Sequence, residues 1–499
     1  MHFSIADTQL IKDQNHSFVT YNISINGSFH CSLRYKQLYN FHEQLKRTFG
    51  ANTLPLFPPK RLLPLTPTQT EERRSQIEKY IQIISQDQRI VSSDLFNGFF
   101  LSGQQETQNS KMEEVIVDVF QLNWQSIKVQ IYSTDRTDIV LDSVAKALEL
   151  TPPLIPYFSL FVVKRVDNVC VPIRKLQNFE SPYLTLKTMN SVDSSHAIVI
   201  RKSYWDSIYD DEVFGDRTAV NILYFQTLHD IEKDLIEANK ETRRQLTSLQ
   251  AKGSKQEYLQ LSRTLKYYGY IQFEPCFCDY PQQNTRVLIA TGGKELNIRA
   301  YTAAEHMKEY SFRVTRVRCW RLTTSLHDKL NGCAINANTS SSSSSSSLSS
   351  CQSTGAANTR FELSFEYLLS KDHLQWITII SDQAILMSVC LQGMVEELLM
   401  KRNGKKIKRE EPSLQYTTNG TAGGSRRGSW SYMKRDGSSH QISLPRSVST
   451  DAGLAYSAEI HNKPLKSSHS SHNGFPTKSR HFVENDAFNG IGDIGDDDL

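Results

Sequence analysis

The sequence lacks a long hydrophobic segment and the features of a leader peptide. No stretch of about 18 apolar residues occurs, which is the length that a membrane-spanning helix needs. The most apolar segment, residues 377–395, contains Asp382, Gln383 and Gln392, so we predict a strand followed by an amphipathic helix. The first residues, Met1–Asp7, lack the basic start and apolar run of a signal peptide. We therefore expect a cytoplasmic protein.

The sequence also lacks recognisable catalytic and metal-binding motifs. Its eight cysteines are scattered, and the close pair Cys276 and Cys278 has no second pair to complete a zinc site. The segment 291–294 (TGGK) lacks the leading glycine of a phosphate-binding loop, and neither a His-Glu-x-x-His nor a Gly-x-Ser-x-Gly motif occurs. The net charge of +4 is too small to indicate a nucleic-acid partner. We predict a non-enzymatic protein with reduced thiols, no metal and no cofactor.

Two segments have the composition of disordered chain. Residues 336–358 are rich in Ser, Asn and Thr around an unbroken serine run, and from residue 403 onward large apolar residues become sparse. The remaining length fits several domains of ordinary size. We predict an α+β multidomain protein with blocks at 1–108, 112–202, 204–270 and 271–402, the last interrupted by the insert 336–358, and a tail at 403–499.

Block one combines a hairpin with helices and a proline-rich connection. Asn26-Gly27 is the dipeptide most typical of a tight β-turn, and it lies between two apolar, alternating segments. Residues 54–60 must be extended, because each proline fixes φ and removes a donor. We predict strands at 18–25 and 29–35 and helices at 36–48 and 69–85.

Basic and aromatic residues are distributed over these elements of block one. Arg34 and Tyr35 end the second strand, Lys60 follows a proline pair, and Arg73 lies on the second helix. An inositol phosphate needs such groups, since arginine offers a planar fork of donors, lysine a point charge and an aromatic ring a flat face. The alternative is that they are solvated surface charges. Their ordered placement on strand, loop and helix favours the lipid site.

Block one resembles a PX domain, in which an Arg-Tyr pair, a Pro-Pro-Lys turn and an Arg-x-x-x-[Leu/Ile]-x-x-Tyr motif recur. The resemblance implies that Arg34 binds the 3-phosphate and Tyr35 stacks on the inositol ring. It implies that Lys60 meets the 1-phosphate and Arg73 holds the ring hydroxyls. The implied ligand is phosphatidylinositol 3-phosphate, a lipid of early endosomes, on which the protein would be peripheral.

Neighbouring residues leave two points open in this lipid site. Arg61 and Arg74 flank the set and are candidates to substitute for a neighbour. Leu62, Leu63 and Leu65 either insert into the bilayer or pack beneath the loop.

The three later blocks have the order of a FERM module: a ubiquitin-like sheet, a helical block, and a PTB/PH-like block closed by a long helix at about 382–400. The chain resembles the PX-FERM subfamily of sorting nexins, which implies binding of Asn-Pro-x-Tyr or Asn-x-x-Tyr signals on receptor tails and return of that cargo to the cell surface. The alternative is a FERM-type scaffold that links receptors to cytoskeletal or signalling proteins. The resemblance lies in residues 1–5, 202–207, 209–211, 311–321 and 365–372.

Block four contains the candidate peptide groove. Residues 312–322 alternate with mixed charge, so we predict one strand at a sheet edge, which an extended peptide can join as an extra strand. Trp320 is the candidate contact on this strand. Val395 and Leu399 match a valine and a methionine that the family uses on its terminal helix, with leucine replacing the methionine here. The alternative is that all three are core residues.

The tail ends in a segment that mixes apolar residues with carboxylates. It is either a linear motif for a basic groove, anchored by the final leucine, or a solubilising acidic end. It resembles the terminus of PX-FERM sorting nexins, which implies the retriever complex and the associated commander assembly as partners. The residues concerned are Ile491, Asp496, Asp497, Asp498 and Leu499. Upstream, residues 485–488 (NDAF) imitate the cargo signal, so we hypothesise that the tail folds back into the block-four groove.

Overall fold

The computed structural model describes residues 1–13, 16–61, 63–166, 169–301, 307–326, 359–371, 373–408 and 430–442, and the backbone of 481–486. The serine-rich insert 336–358 and the predicted tail motif at residues 491–499 lie outside the described residues. Within the described part, the chain forms the predicted α+β succession of four blocks.

Block one is a three-stranded antiparallel meander covered by helices. Asn26 and Gly27 both have positive φ, at 48° and 81°, which confirms the tight turn between the second and third strands. The second helix begins with Pro67 after a capping box between Thr66 and Gln69. The elements are β1 (Phe3–Asp13), β2 (His16–Ile25), β3 (Ser28–Arg34), α1 (Tyr35–Phe49), α2 (Pro67–Ile84), α3 (Gln88–Val91) and α4 (Asp94–Thr107).

Block two is a five-stranded sheet with its first and last strands parallel, as in a ubiquitin-like fold. The sequence did not predict the edge strand that contains Pro172 or the short helix after it. Proline is tolerated in that strand because it lies at the sheet edge beside a register shift. The elements are β4 (Glu114–Phe120), β5 (Ser126–Tyr132), α5 (Thr137–Ala147), β6 (Phe158–Val166), β7 (Val169–Lys175), α6 (Pro182–Asn190) and β8 (His196–Lys202).

Block three is helical, and its helices share one core with block two. They are α7 (Asp210–Val213), α8 (Arg217–Glu232), α9 (Lys240–Lys252) and α10 (Lys255–Ser262).

Block four is a strand-rich lobe closed by a long helix that seals its core. The elements are β9 (Ile271–Gln272), β10 (Cys276–Cys278), β11 (Thr285–Gly292), β12 (Glu295–Tyr301), β13 (Met307–Arg313), β14 (Val317–Leu326), β15 (Thr359–Ser370), β16 (His373–Ile380) and α11 (Ala384–Arg402).

The predicted single strand over residues 312–322 is wrong at its centre. A short 3-10 turn at Val314–Arg316 separates β13 from β14. The break occurs because the chain crosses here from the β12 ladder to the β15 ladder. A register shift early in β14, between Val317 and Cys319, also changes which side chains face inward. Arg318 and Trp320, which strict alternation would place on one face, are therefore separated: Trp320 is buried, whereas Arg318 pairs with Glu366 and is largely exposed.

The blocks pack directly on one another. Phe179 of block two lies within the core of block one, and the Gln104 side chain bridges to Ser181 and Thr185 of block two. Likewise Glu397 of α11 accepts the backbone N–H groups of Trp205 and Asp206 at 2.7 Å each, which ties block four to the linker between blocks two and three. Block one is thus held against the lobes that follow it.

The composition of the tail predicts disorder, but two of its segments form strands that pack on or pair with the folded blocks. Residues 430–442, which we call the tail hairpin, pair β17 (Ser431–Met433) with β18 (Ser439–Gln441) and pack on block one. Further on, β19 (His481–Asp486) pairs antiparallel with β14 in block four. The structure thus adds ordered elements far beyond the predicted end of the folded region.

Candidate lipid pocket and peptide-binding edge

Three of the four predicted lipid ligands converge in block one. Tyr35 begins α1, Arg73 lies on α2, and Lys60 belongs to the irregular connection between them. The Arg73 guanidinium carbon lies 4.3 Å from the centre of the Tyr35 ring, and its Nη2 donates to the Pro59 carbonyl at 3.3 Å. The Tyr35 hydroxyl in turn donates to the Pro58 carbonyl at 2.7 Å. The proline-rich connection is therefore fastened to both neighbouring helices.

Aromatic residues that sequence reasoning missed form the floor of this pocket. The Lys60 ammonium lies 3.9 Å from the centre of the Tyr39 ring, and Phe57 packs between Tyr35, Tyr39 and His42. The spacing of four residues between the two tyrosines on one helix was the available signal. Burial raises the pKa of Tyr35 to about 12 despite the nearby Arg73 charge, so this hydroxyl is a neutral donor at pH 7.

Arg34, the fourth predicted ligand, precedes Tyr35 directly in the chain, but its side chain has different contacts. It ends β3, and its guanidinium carbon lies 3.9 Å from the centre of the Phe18 ring. Its Nη1 donates to the backbone carbonyl of Arg435 in the tail hairpin at 2.6 Å. This partner lies far along the chain and had no local sequence signal.

The flanking residues separate into structural and exposed groups. Arg74 is buried and bonds to Glu71 and Glu78, at 2.7 and 3.1 Å, so it faces away from the pocket and is no substitute for Arg73. Arg61 is exposed, and Leu63 is 80% exposed, whereas Leu62 lies outside the described residues and Leu65 is half-buried. Leu56, which the sequence analysis passed over, is 97% exposed in the same connection. Two exposed leucines beside a cationic pocket are what insertion into a bilayer requires.

The three predicted peptide contacts belong to β14 and α11, which pack on each other in the block-four core. Trp320 is 1% exposed, and its indole N–H donates to the Ser388 hydroxyl of α11 at 3.0 Å. Val395 is buried in the same core cluster, and Leu399 is half-buried against it. Trp320 and Val395 therefore seal the helix on the sheet, with Leu399 at the rim.

The edge of β14 that faces away from β15 is covered by a strand of the chain's own tail. In the ladder with β19, Trp320 is opposite Asn485, Leu322 is opposite Val483, and Cys319 is opposite Asp486. Without β19, β14 would be an edge strand, because its other neighbour is β15. The paired segment ends at Asp486, inside the Asn-x-x-Phe sequence, whose last two residues lie outside the described part.

Among the described residues, no helix is long and apolar enough to cross a bilayer, and no group of three or more His, Cys, Asp or Glu side chains could hold a metal ion.

Comparison with known families places every block. A PX domain model matches residues 21–103, and a sorting nexin 17/27/31 FERM F1-lobe model matches 115–205. The sorting nexin 17/31 F2-lobe model matches 206–266, and the sorting nexin 17 FERM C-terminal domain model matches 269–399. The four matches follow the order of the four blocks.

Curated relatives match over most of the chain. Sorting nexin-17 of Danio rerio is 43% identical over 506 residues, covering 100% of this chain and 100% of that protein. Sorting nexin-17 of Homo sapiens is 45% identical over 412 residues, covering 82% of this chain and 84% of the relative. Sorting nexin-31 of Homo sapiens is 31% identical over 404 residues, covering 80% of this chain and 86% of that relative. The chain therefore belongs to the sorting nexin-17 family, PX-FERM adaptors of endosomal sorting that join a phosphoinositide-binding domain to a module for receptor tails.

Proposed function

We propose that this chain recognises phosphatidylinositol 3-phosphate with block one and Asn-Pro-x-Tyr or Asn-x-x-Tyr signals with block four. In this proposal Tyr35 stacks on the inositol ring while Lys60 and Arg73 hold the 1-phosphate and the ring hydroxyls. Arg34 takes the 3-phosphate. The support is the geometry: two cations lie over aromatic rings, in a pocket flanked by exposed leucines.

For the receptor signal, the proposed site is the edge of β14, with Leu399 at its rim and the buried Trp320 and Val395 supporting it from the core. The observation that carries this proposal is the β14–β19 ladder, in which a segment ending within an Asn-x-x-Phe sequence already lies on that edge. Main-chain hydrogen bonds give such strand addition its affinity, and side-chain pockets give specificity. A receptor signal and β19 would then compete for one edge.

The end of the tail completes the proposal. Ile491, Asp496, Asp497, Asp498 and Leu499 would bind the retriever complex with its commander assembly. Release of β19 by a receptor signal would free the adjoining residues for that partner. Cargo binding and partner recruitment would thereby be coupled through one strand, because the two states exclude each other.

Vesicle reconstitution tests this function. Three sets of vesicles would carry phosphatidylinositol 3-phosphate alone, a lipid-anchored Asn-Pro-x-Tyr peptide alone, or both. Because the second binding event on one surface becomes intramolecular, we expect recruitment to vesicles with both ligands to exceed the sum of the other two by about tenfold or more. Recruitment to vesicles with both ligands that only equals the sum of the other two would contradict the proposal. Equal recruitment by inositol lipids that lack the 3-phosphate would contradict it as well.

A further inference from the structure

The tail hairpin is built into block one. Tyr432 is 1% exposed, and its ring centre lies 5.7 Å from that of Phe99 on α4. Ile442 packs so closely on Gly98 that an added Cβ there would lie 2.1 Å from its Cγ2. Tyr432 therefore belongs to the core of block one, and the half-buried Ile442 packs against it.

Buried polar groups of block one find their partners in the hairpin. Gln37, itself buried, donates to the Tyr432 hydroxyl at 3.0 Å and to the Met433 carbonyl at 2.9 Å. Gln44 exchanges two hydrogen bonds with the backbone of Ser431, at 2.7 and 2.9 Å. Without the hairpin the amide nitrogen of Gln37 would keep only its bond to Glu106 and that of Gln44 only its bond to Asn40, and the loss of the other partners costs free energy at these buried positions. The sequence of block one is therefore matched to this hairpin.

Glu106 at the end of α4 receives the turn of the hairpin. Its carboxylate accepts the Tyr432 hydroxyl at 2.7 Å and the backbone N–H of Arg435 at 2.6 Å. The Arg435 side chain reaches past it and donates to the Ser32 carbonyl at 2.6 Å and to the Thr107 hydroxyl at 3.1 Å. Residue 435 is thus fixed through both its main chain and its side chain.

This fixed residue contacts the lipid pocket at one place. The Arg435 carbonyl accepts one N–H of Arg34, whose guanidinium also lies over the Phe18 ring. A guanidinium has five N–H donors, so four remain for a phosphate. The partners described above for Tyr35, Lys60 and Arg73 all belong to block one, so among the four predicted ligands the hairpin bonds to Arg34.

We propose that the tail hairpin is a positioning element of the lipid site, in which the Arg435 carbonyl holds the Arg34 guanidinium in the orientation that binds the phosphate of a 3-phosphorylated inositol lipid. This inference rests on the proposed lipid function. A side chain held in advance loses less conformational freedom when the ligand binds, which is the usual source of such an affinity gain.

The test uses the full chain with residues 430–442 replaced by a Gly-Ser segment of equal length. A matched control carries the same replacement at residues 451–463. Binding is measured on phosphatidylcholine vesicles with and without phosphatidylinositol 3-phosphate. We expect the hairpin replacement to weaken binding by up to about tenfold, the ratio expected when one rotamer-rich side chain must be ordered on binding, and the control to match the unaltered chain. The milder Tyr432→Phe, which keeps the ring and removes the hydroxyl, is expected to fall between the two.

A double replacement separates positioning from general support of block one. The same replacement is made in an Arg34→Lys chain, and binding is measured at a high lipid fraction. We expect the affinity of this double variant to be less than about twofold below that of Arg34→Lys alone, because lysine lacks the forked donors that the carbonyl orients. An equal loss in both backgrounds would overturn the proposal in favour of a merely structural hairpin. Unchanged or tighter binding would overturn it as well. If the unaltered chain itself shows no preference for the 3-phosphate lipid, the lipid assignment fails first and the positioning role falls with it.

Discussion

Leu326 and Thr359 lie opposite each other as the last pair of the β14–β15 ladder, although residues 327–358 separate them in sequence. Because this pair already brings the two strand ends together, a two-residue turn can replace residues 327–358, which contain the insert 336–358, and close the ladder. We predict that replacing residues 327–358 with Asn-Gly neither lowers the unfolding temperature nor weakens peptide binding, since a shorter loop costs less closure entropy. Thermal unfolding checks this, and a fall of more than about 5 °C would show that the insert supports the lobe.

Arg73 offers the clearest single test of the lipid pocket. Its guanidinium lies on the Tyr35 ring and bonds to the Pro59 carbonyl, so Arg73→Ala is expected to loosen that connection locally while the block-one core, to which Arg73 does not belong, stays folded. We predict a loss of about tenfold or more in affinity for phosphatidylinositol 3-phosphate vesicles, because a charged donor to the inositol ring is removed. Arg89→Ala, at a side chain 63% exposed and paired with Asp87, is the matched control and should bind as the unaltered chain does. Equal losses in both variants would point to general charge attraction.

Leu399 permits a test of the groove that spares the core. Because it is half-buried at the rim, Leu399→Glu should be tolerated, whereas Trp320→Ala would remove a fully buried ring at a cost of about 3–5 kcal/mol in folding. We predict that Leu399→Glu lowers affinity for an Asn-Pro-x-Tyr peptide about tenfold or more, since a charge would be desolvated on binding. Leu374→Glu, at a residue 41% exposed on β16, is the control, and calorimetric titration compares the two. A peptide that binds both variants equally does not use this rim.

The buried His30 is expected to make block one less stable at acid pH. It is buried, with Nε2 3.0 Å from the Phe100 carbonyl, and burial lowers its pKa to about 4, opposed by the nearby Glu180 charge. The pKa of His30 in the folded chain lies below the unfolded value of about 6.5. The contribution of neutral His30 to the free energy of unfolding is therefore fully present above about pH 6.5 and is lost as the pH falls toward about 4. At pH 5 the loss is about 2 kcal/mol of the free energy of unfolding for this one group.

The measurement for His30 is urea unfolding at pH 7 and pH 5. His30→Asn removes the titrating group, so its free energy of unfolding should fall less between the two pH values than that of the unaltered chain. His2, also buried with a pKa lowered to about 4, leaves part of the dependence in place. An identical pH dependence in the variant and the unaltered chain would mean that His30 does not contribute.

Local patterns predicted much of block one and the order of the lobes. The Asn26-Gly27 turn follows from backbone preferences that depend on two residues alone. The grouping of Tyr35, Lys60 and Arg73 follows from a proline-rich connection between two helices, which is also visible locally, whereas the Tyr39 ring beside Lys60 was not predicted. The family resemblance, rather than any spacing, gave each residue its role.

Contacts between distant segments could not be predicted in this way. The tail hairpin has a polar composition, and its stability comes from Gln37, Gln44 and Glu106, which precede it by more than 300 residues. The break at Val314–Arg316 depends on which ladder each strand joins, and alternation alone does not encode that choice. The hypothesis that the tail folds back into block four came from its Asn-x-x-Phe sequence, a short motif that resembles the receptor signals. The pairing of β19 with β14 agrees with it.

Calorimetric titration of an Asn-Pro-x-Tyr peptide tests the central claim most directly, with the intact chain beside a chain ending at residue 442. The shortened chain keeps the hairpin on block one and lacks the strand that covers β14. The account predicts binding to both, about tenfold or more tighter to the shortened chain, because a tethered strand competes at a high effective concentration. Equal affinities would mean that β19 does not occupy the peptide site, and no binding to either chain would contradict the assignment of the β14 edge to receptor signals.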